Sequence, residues 1–296
     1  MRRIKVLHIE PTDVCQAACA LCARETDPDF RKDLKHHLRP EHIQQHFSDR
    51  RIRSLDKVLM CGSYGDPAAG KYTLDIARWL RGLNPEITLG MNTNGALQTT
   101  FWWHELGRLH SNPLDYCVFS IDGLEDTNAV YRKNVDWNKL MSNARAYIDA
   151  GGKAHWDMLV YRHNQHQVDE CEQLARDMGF KWFRAKVSQR GFTDRLQAPM
   201  GWQLPQSDAG RIQCHVMAEK SMYLDAQGRL HPCCWHGSRQ RDLIRDDLIT
   251  LKKTWHTSSP DPVCAQACTV VQERTRFAGQ WQRETEFAQV EALHDN

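Results

Sequence analysis

Three cysteines near the start of the chain, Cys15, Cys19 and Cys22, are spaced Cys-x3-Cys-x2-Cys. Thiolates this close in sequence can converge on one inorganic centre, and soft sulfur ligands select zinc or iron–sulfur. A structural zinc site closes with four ligands, usually as two pairs, and no partner pair lies near these three. A cubane held by three cysteines leaves one iron with an open position for a further ligand. Five more cysteines follow much later: Cys214, the adjacent Cys233 and Cys234, and Cys264 and Cys268. The first of these and the adjacent pair bracket a predicted hairpin at 221–232, turning at Ala226-Gln227-Gly228. The last two can share a helical face at i and i+4. Four such thiolates could close around a second centre, for which zinc and iron–sulfur both stay open. The remaining three, Cys61, Cys117 and Cys171, read as core.

These residues need a scaffold. The chain has 296 residues, 41% hydrophobic and 26% charged, which excludes disorder and a collagen-like fold and allows one barrel-sized domain or two smaller ones. Eleven cysteines in a chain whose first apolar stretch is broken by Lys5, His8 and Glu10 argue against an export signal and a disulfide framework. The expectation is a cytoplasmic protein, with no apolar run long enough to span a membrane. From residue 4 to 188 six apolar runs (4–9, 57–61, 86–91, 115–121, 154–161 and 182–188) alternate with helical periodicity. The helical stretches are 40–49, 72–83, 101–110, 137–150 and 165–178. Repeated β-α alternation makes a parallel sheet with right-handed crossovers, either open or a full or partial barrel. After residue 188 the pattern stops, which places a boundary near 190. The last stretch, from Thr269, reads as one helix with Val270, Phe277, Trp281 and Val290 inward.

With the cysteine triplet directly after the first run, the chain resembles the radical S-adenosylmethionine (radical SAM) superfamily. That resemblance implies a partial (β/α)6 TIM-like barrel over residues 1–190, whose six strands match the six runs. It also implies a [4Fe–4S] cluster on Cys15, Cys19 and Cys22, whose open iron chelates S-adenosylmethionine and cleaves it reductively to a 5′-deoxyadenosyl radical. Other strand ends carry matching segments. Gly62-Ser63-Tyr64-Gly65-Asp66-Pro67 is similar to the family's Gly-Gly-Glu-Pro segment, with Asp66 replacing the usual Glu. Asn92-Thr93-Asn94-Gly95, and Ser120-Ile121-Asp122-Gly123 with Tyr131-Arg132, resemble segments that contact ribose and carboxylate. Each alone is an ordinary turn, but barrel active sites are built from loops at C-terminal strand ends. The resemblance thus implies a cofactor pocket of Leu21, Gly65, Asp66, Pro67, Asn94, Ser120, Asp122, Arg132 and Val160. Leu21 stands where the family often has an aromatic residue.

The second cysteine group, with Gly228-x4-Cys233 in the middle, is similar to the twitch or SPASM-type extension, a small C-terminal auxiliary-cluster domain covering residues 191–296. It implies a second, auxiliary [4Fe–4S] cluster on Cys214, Cys233, Cys264 and Cys268. A full SPASM extension has seven cysteines for two clusters, so five imply one cluster and one spare thiol. The spare, Cys234, sits where relatives can carry an acid that deprotonates substrate, while elsewhere in the superfamily a cysteine donates a hydrogen atom. Cys234 is therefore assigned a catalytic role, argued from opposite pointing of neighbours on an extended segment, against the plain reading of a buried small hydrophobe. Arg184, Lys186 and Gln189, at the end of the sixth run, stand where a substrate could be reached.

The implied activity is hydrogen abstraction from a substrate carbon in a peptide or protein, as an oxidation, crosslink or epimerisation, by a radical SAM oxidoreductase-type enzyme. The alternative substrate is a small molecule such as a sugar. Implied partners are a one-electron donor such as flavodoxin or ferredoxin and, because only fourteen residues precede Cys15, a separate leader-peptide docking protein. The reading from another class is a zinc- or cluster-bearing protein that binds RNA. Charge argues against nucleic acid: the formal net charge is only +2, and the basic stretch 31–57 offers one aromatic residue, Phe47. That stretch reads as a solvated helix face, and Trp79, Trp102 and Trp103 read as core.

Overall fold

Six parallel strands carry the alternation in this computed structural model, which describes residues 4–26, 35–188, 190–203, 207–237, 247–271 and 283–287. They are β1 (Val6–Ile9), β2 (Lys57–Cys61), β3 (Thr88–Thr93), β4 (Tyr116–Ser120), β5 (Ala154–Val160) and β6 (Trp182–Val187). Between them lie α1 (Ala23–Thr26), α2 (Pro40–Gln44), α3 (Asp49–Ile52), α4 (Thr73–Leu83), α5 (Thr100–Leu109), α6 (Glu125–Tyr131), α7 (Trp137–Asp149) and α8 (Val168–Met178). The strands pair in chain order, each parallel to the next, so every crossover passes through helical segments on the outer face. The sheet does not close, and the fold is a partial barrel.

Strand alternation sorts the faces. In β5, Ala154, Trp156, Met158 and Val160 are buried towards the helices, while His155, Asp157 and Leu159 take the inner face. The register His8–Leu59–Gly90–Tyr116 runs across that inner face, as does Val118–His155–Trp182. The outer face is the apolar core, with Leu7, Ile9, Val58, Met60, Leu89, Met91, Phe119 and Trp156 closed against Ile76, Leu80, Trp103, Leu140 and Tyr147. Complete burial of such a side chain contributes about 1.5–3 kcal/mol. Thr99 and Asp136 start α5 and α7 by accepting the backbone N–H of Trp102 and Lys139, each cap contributing about 1 kcal/mol. Trp103 is buried core, and Trp79 and Trp102 pack partly buried against it.

Three local readings differ from the sequence expectation. The helix expected at 40–49 splits into α2 and α3, with a turn that lets Phe47 and Ile52 both bury and the His46 ring reach the Gly228 carbonyl at 2.8 Å. The segment is thus packed against the rest of the chain and is more than a solvated face. The short α6 has too few turns for periodicity to reveal. In place of a helix from Thr269, the chain forms β10 (Thr269–Val271), which pairs antiparallel with β7 (Ser207–Ile212), and β11 (Arg283–Glu286), which pairs antiparallel with β6. β-branched Thr269, Val270 and Val271 suit a strand. Phe277, Trp281 and Val290 lie outside the described residues, as does Gln189.

The predicted hairpin is present as β8 (Ser221–Leu224) and β9 (Leu230–His231), turning through Gly228 at φ +80°. It does not stand apart. β8 pairs parallel with β1, so the barrel's sheet continues β11-β6-β5-β4-β3-β2-β1-β8-β9. The remaining helices are α9 (His215–Glu219), α10 (Cys234–Gly237), α11 (Asp247–Thr254) and α12 (Pro262–Cys268). Among the described residues no helix is long and apolar enough to cross a membrane.

Candidate active site

The loop after β1 is fixed before any ligand arrives. Thr12 Oγ accepts the Val14 N–H and donates to the His36 carbonyl. Asp13 accepts from the His36 backbone at 2.8 Å and contacts its ring at 2.7 Å. Arg24 donates to the carbonyls of Asp13, Cys15 and Tyr64. The backbone N–H groups of Ala18 and Asp66 close on the carbonyls of Lys133 and Val14. Cys15, Cys19 and Cys22 are therefore presented from a loop tied to four other segments.

Each of the three sulfurs is met by a polar side chain from a different part of the barrel. Asn94, after β3, donates to Cys15 Sγ at 3.6 Å. Arg132, after β4 and α6, donates to Cys19 Sγ at 3.9 Å. The Arg190 side chain, after β6, bonds Cys22. Burial pushes the Cys15 thiol up to about 12, with Asp66 adding to it. Burial also raises Cys19, against the pull of Arg132. At neutral pH the Cys15 and Cys19 thiols hold their protons, so a metal that takes them as thiolates must displace those protons.

The 62–67 loop packs directly on this one. A Cβ at Gly62 would lie 1.4 Å from the Gly65 carbonyl oxygen, and one at Gly65 would lie 1.9 Å from that of Thr12, so only glycine allows the approach. Asp66 is buried and turned inwards: its carboxylate accepts from Ala68 N, Thr93 Oγ and Asn94 N at 2.7–2.9 Å. It therefore holds the end of β3 in place. Asn94 in turn exchanges hydrogen bonds with Gln16. Asp122 is fully buried and accepts from Arg132 Nε at 2.6 Å and Leu159 N at 2.7 Å. Burial works against the charge of Arg132, but Asp122 and Cys19 more than offset it.

Leu21 is half-buried beside Cys22, Pro67 begins a 3-10 turn, and Ser120 ends β4 on the inner face. The structure thus brings Gly65, Asp66, Asn94, Asp122 and Arg132 against the first cysteine loop. Val160 is different. Its place in the β5 alternation buries it among outer-face core residues, away from the inner face.

The inner face is lined by polar and aromatic groups. Lys57 lies over the Tyr116 ring, Tyr116 stacks on His155, and His155 meets Trp182 edge-on. Asp157 binds Arg184 and Lys186, whose bonds hold its carboxyl below the usual range despite burial. At the upper end, Glu10 accepts from Tyr64 N at 2.7 Å, Gly65 N at 3.0 Å and the Tyr223 hydroxyl. Burial raises Glu10 to about 7. Cys61 ends β2 on this inner face, half-buried, and so is not the core residue that its sequence context suggests; Cys117 and Cys171 are fully buried core.

The later cysteines come together across short elements. Ile212 pairs with Thr269, and the Gln213 N–H donates to the Cys268 carbonyl, which sets Cys214 beside Cys268. Burial pushes Cys233 up to about 12 and Cys264 and Cys268 up to about 11, with Cys214 acting electrostatically on all three. Cys234 belongs elsewhere. Its thiol, also pushed up to about 12 by burial, feels Cys61 and Glu10, at the upper end of the inner face. The reason differs from the sequence argument, because Cys234 begins the helix α10 and is not part of an extended segment. Tetrahedral zinc, with Zn–S bonds of about 2.3 Å, brings its sulfurs within roughly 3.8 Å of one another. Among the described residues, no three cysteine sulfurs lie within even 4.8 Å of one another, and the only group drawn that close is His236, Asp261 and Cys264.

A family model described as the radical SAM superfamily matches residues 9–178, from β1 through α8. The chain belongs to the radical SAM superfamily. Membership makes it an enzyme family member for which one [4Fe–4S] cluster and S-adenosylmethionine are implied, and the first cysteine loop fits that cluster in ligand type and position. Solved structures share the fold. SuiB from Streptococcus suis bound to S-adenosylmethionine aligns with a TM-score of 0.60 and 13% identity, covering 88% of this chain and 67% of SuiB. SuiB bound to its precursor peptide SuiA gives a TM-score of 0.59 at 14% identity, over 89% and 66%. Native anSMEcpe with bound AdoMet and Cp18Cys peptide gives 0.54 at 14%, over 77% and 73%. The chain thus spans about two thirds of the SuiB length, and no curated protein matches it.

Sequence reasoning missed Glu10, Gln16, Arg24, Arg190 and His236. Glu10 directly follows β1 and Arg190 lies three residues past β6, so the strand-end rule that found Asn94 would also have found them. His236 follows the adjacent cysteine pair by two residues. Gln16 and Arg24 carry no signal beyond nearness to the triplet.

Proposed function

We propose that this chain is a SPASM/twitch-type radical SAM oxidoreductase that modifies a peptide or protein by hydrogen abstraction from an unactivated carbon. The observation that carries the reading is the pair of cysteine sets, the first on the loop after β1 and the second gathered around the β8–β9 hairpin that continues the same sheet through β1. Cys15, Cys19 and Cys22 would hold the radical-generating cluster. Cys214, Cys233, Cys264 and Cys268, in the region 191–296, would hold an auxiliary [4Fe–4S] cluster. When loaded, the first centre supplies reductive cleavage of S-adenosylmethionine to the 5′-deoxyadenosyl radical.

The chain's own residues do the rest. The backbone of 62–67 and the side chains of Asn94, Ser120 and Arg132 hold the cofactor, with Asp66 and Asp122 fixing Asn94 and Arg132. Arg184 and Lys186, each about two-fifths exposed, orient substrate from the inner face. Cys234 acts on the substrate radical from the upper end beside Cys61 and Glu10. Peptide substrates are supported by structural neighbours whose bound ligands are peptides. A flavodoxin- or ferredoxin-type protein is the expected electron source, and the cytoplasm the expected compartment.

Iron and sulfide analysis of anaerobically reconstituted protein tests the reading. Two four-iron centres give about eight irons and eight sulfides per chain. Stoichiometric zinc without labile sulfide would end the proposal. For Cys234, the test is Cys234→Ala turned over with a peptide substrate in deuterated buffer. A fall in product yield or deuterium content, with S-adenosylmethionine consumption retained, is expected; unchanged yield and labelling would remove it from the chemistry.

A further inference from the structure

His236 is almost wholly buried, at 1% exposure, and no step above uses it. It stands in α10, three residues after Cys233, and its Nε2 lies 3.6 Å from Cys264 Sγ, within N–H···S hydrogen-bonding distance. The same residue reaches a second sulfur through its backbone, since the N–H groups of Trp235 and His236 both favour the Cys233 thiolate. One residue thus touches two of the four proposed auxiliary ligands, one through its main chain and one through its ring. Asp261 adds direction. Its Oδ1 caps α12 by accepting from Val263 N and Cys264 N at 2.9 and 3.0 Å, and lies 3.6 Å from His236 Nε2. A carboxylate beside Nε2 favours the tautomer that carries the proton there. When Cys264 is ligated as a thiolate it can only accept, so that proton is shared with its sulfur.

We infer that His236 is a positioning residue for the auxiliary centre, donating Nε2–H to the Cys264 thiolate and raising that centre's reduction potential relative to the radical-generating cluster. The inference rests on the auxiliary-cluster reading above. Its physical basis is general: hydrogen bonds to cluster sulfurs withdraw charge from the thiolates, stabilise the reduced state and are among the protein's main controls on potential. Removing a donor from a buried site leaves the added electron less compensated, because the low dielectric does not screen it. The chemical consequence concerns electron flow. A higher auxiliary potential makes this centre the better acceptor for an electron released when a substrate radical is oxidised. Burial also keeps water from replacing the lost donor.

An EPR-monitored redox titration of the reconstituted full chain tests this. His236→Leu should shift the auxiliary midpoint to lower potential and leave the radical-cluster midpoint unchanged. His236→Gln, which keeps an N–H donor, should return it towards the wild-type value. Coincident auxiliary midpoints in wild type and His236→Leu, at full iron content, would overturn the inference. A measurement on wild-type protein alone covers failure of the variants to load. Hyperfine spectroscopy of the reduced auxiliary centre should show a weakly coupled nitrogen and an exchangeable proton; a strongly coupled, iron-bound nitrogen or no exchangeable proton would overturn it. The underlying reading fails separately, if a Cys15→Ala/Cys19→Ala/Cys22→Ala variant retains no iron.

Discussion

Cys15, Cys19 and Cys22 share one loop, and a polar side chain from a different, distant segment meets each sulfur. Cys214, Cys233 and the pair Cys264 and Cys268 on α12 instead arrive from three short pieces of chain, joined by the β7–β10 ladder, the β8–β9 hairpin and the cap of α12. In the first region the spacing of the ligands is set locally, and long-range contacts supply the surroundings. In the second, long-range contacts must supply the proposed ligand set itself. A centre of the first kind tolerates much change around it, whereas one of the second kind is lost when any of several packing elements moves.

The largest expected effect tests the first region. Cys19→Ala should abolish formation of 5′-deoxyadenosine from S-adenosylmethionine under reducing conditions, followed by chromatography. Wild-type rates in that variant would remove the loop from the chemistry. Cys264→Ala should divide the two regions: about half of the eight irons remain, S-adenosylmethionine cleavage survives, and modified product is lost. If cleavage vanished as well, the regions would not be independent.

A smaller effect is expected at Arg132. Its replacement by Ala should weaken S-adenosylmethionine binding by roughly 1.5–3 kcal/mol, the range for a hydrogen bond to a charged group, read by calorimetric titration. Unchanged affinity would confine Arg132 to its pairing with Asp122. The smallest effect belongs to Glu10, which joins the regions by holding both the 64–65 backbone and Tyr223 of β8. Burial raises its pKa from 4.5 to about 7, so the folded state keeps a proton that the unfolded chain releases. Its contribution to stability is complete below about pH 4.5 and is lost as pH rises through 7, with a slope of at most about 1.4 kcal/mol per pH unit. Thermal unfolding of wild type and Glu10→Gln between pH 5 and 8 should therefore show a steeper decline in wild type. Parallel curves would mean that Glu10 is ionised throughout.

The legibility of the site follows the same division. The cysteine triplet, Gly65, Asn94 and Asp122 could be placed because they lie in loops that follow apolar runs, and a parallel barrel collects such loops at one end, whereas Arg132 joins them from the end of α6. Val160 was misread because a single residue's shift along a strand reverses the face it occupies. Cys61 was misread for the same reason, since its neighbours are apolar but its own position faces the cavity. The role of Asp66 in holding Thr93 and Asn94 depends on two loops meeting, which no spacing reveals.

By itself the sequence determined the β-α alternation, the ligand types and the position of the first centre, because hydrophobic periodicity and short ligand spacings are local properties of the chain. Tertiary structure alone decided that the C-terminal hairpin extends the barrel sheet through β1, that β10 and β11 stand where a helix is expected, and that Cys234 lies close enough to Cys61 and Glu10 to feel both. Those outcomes depend on which strand edge is left unpaired and which side chains meet across long stretches of chain. Backbone groups at an open edge must find partners wherever the fold brings them.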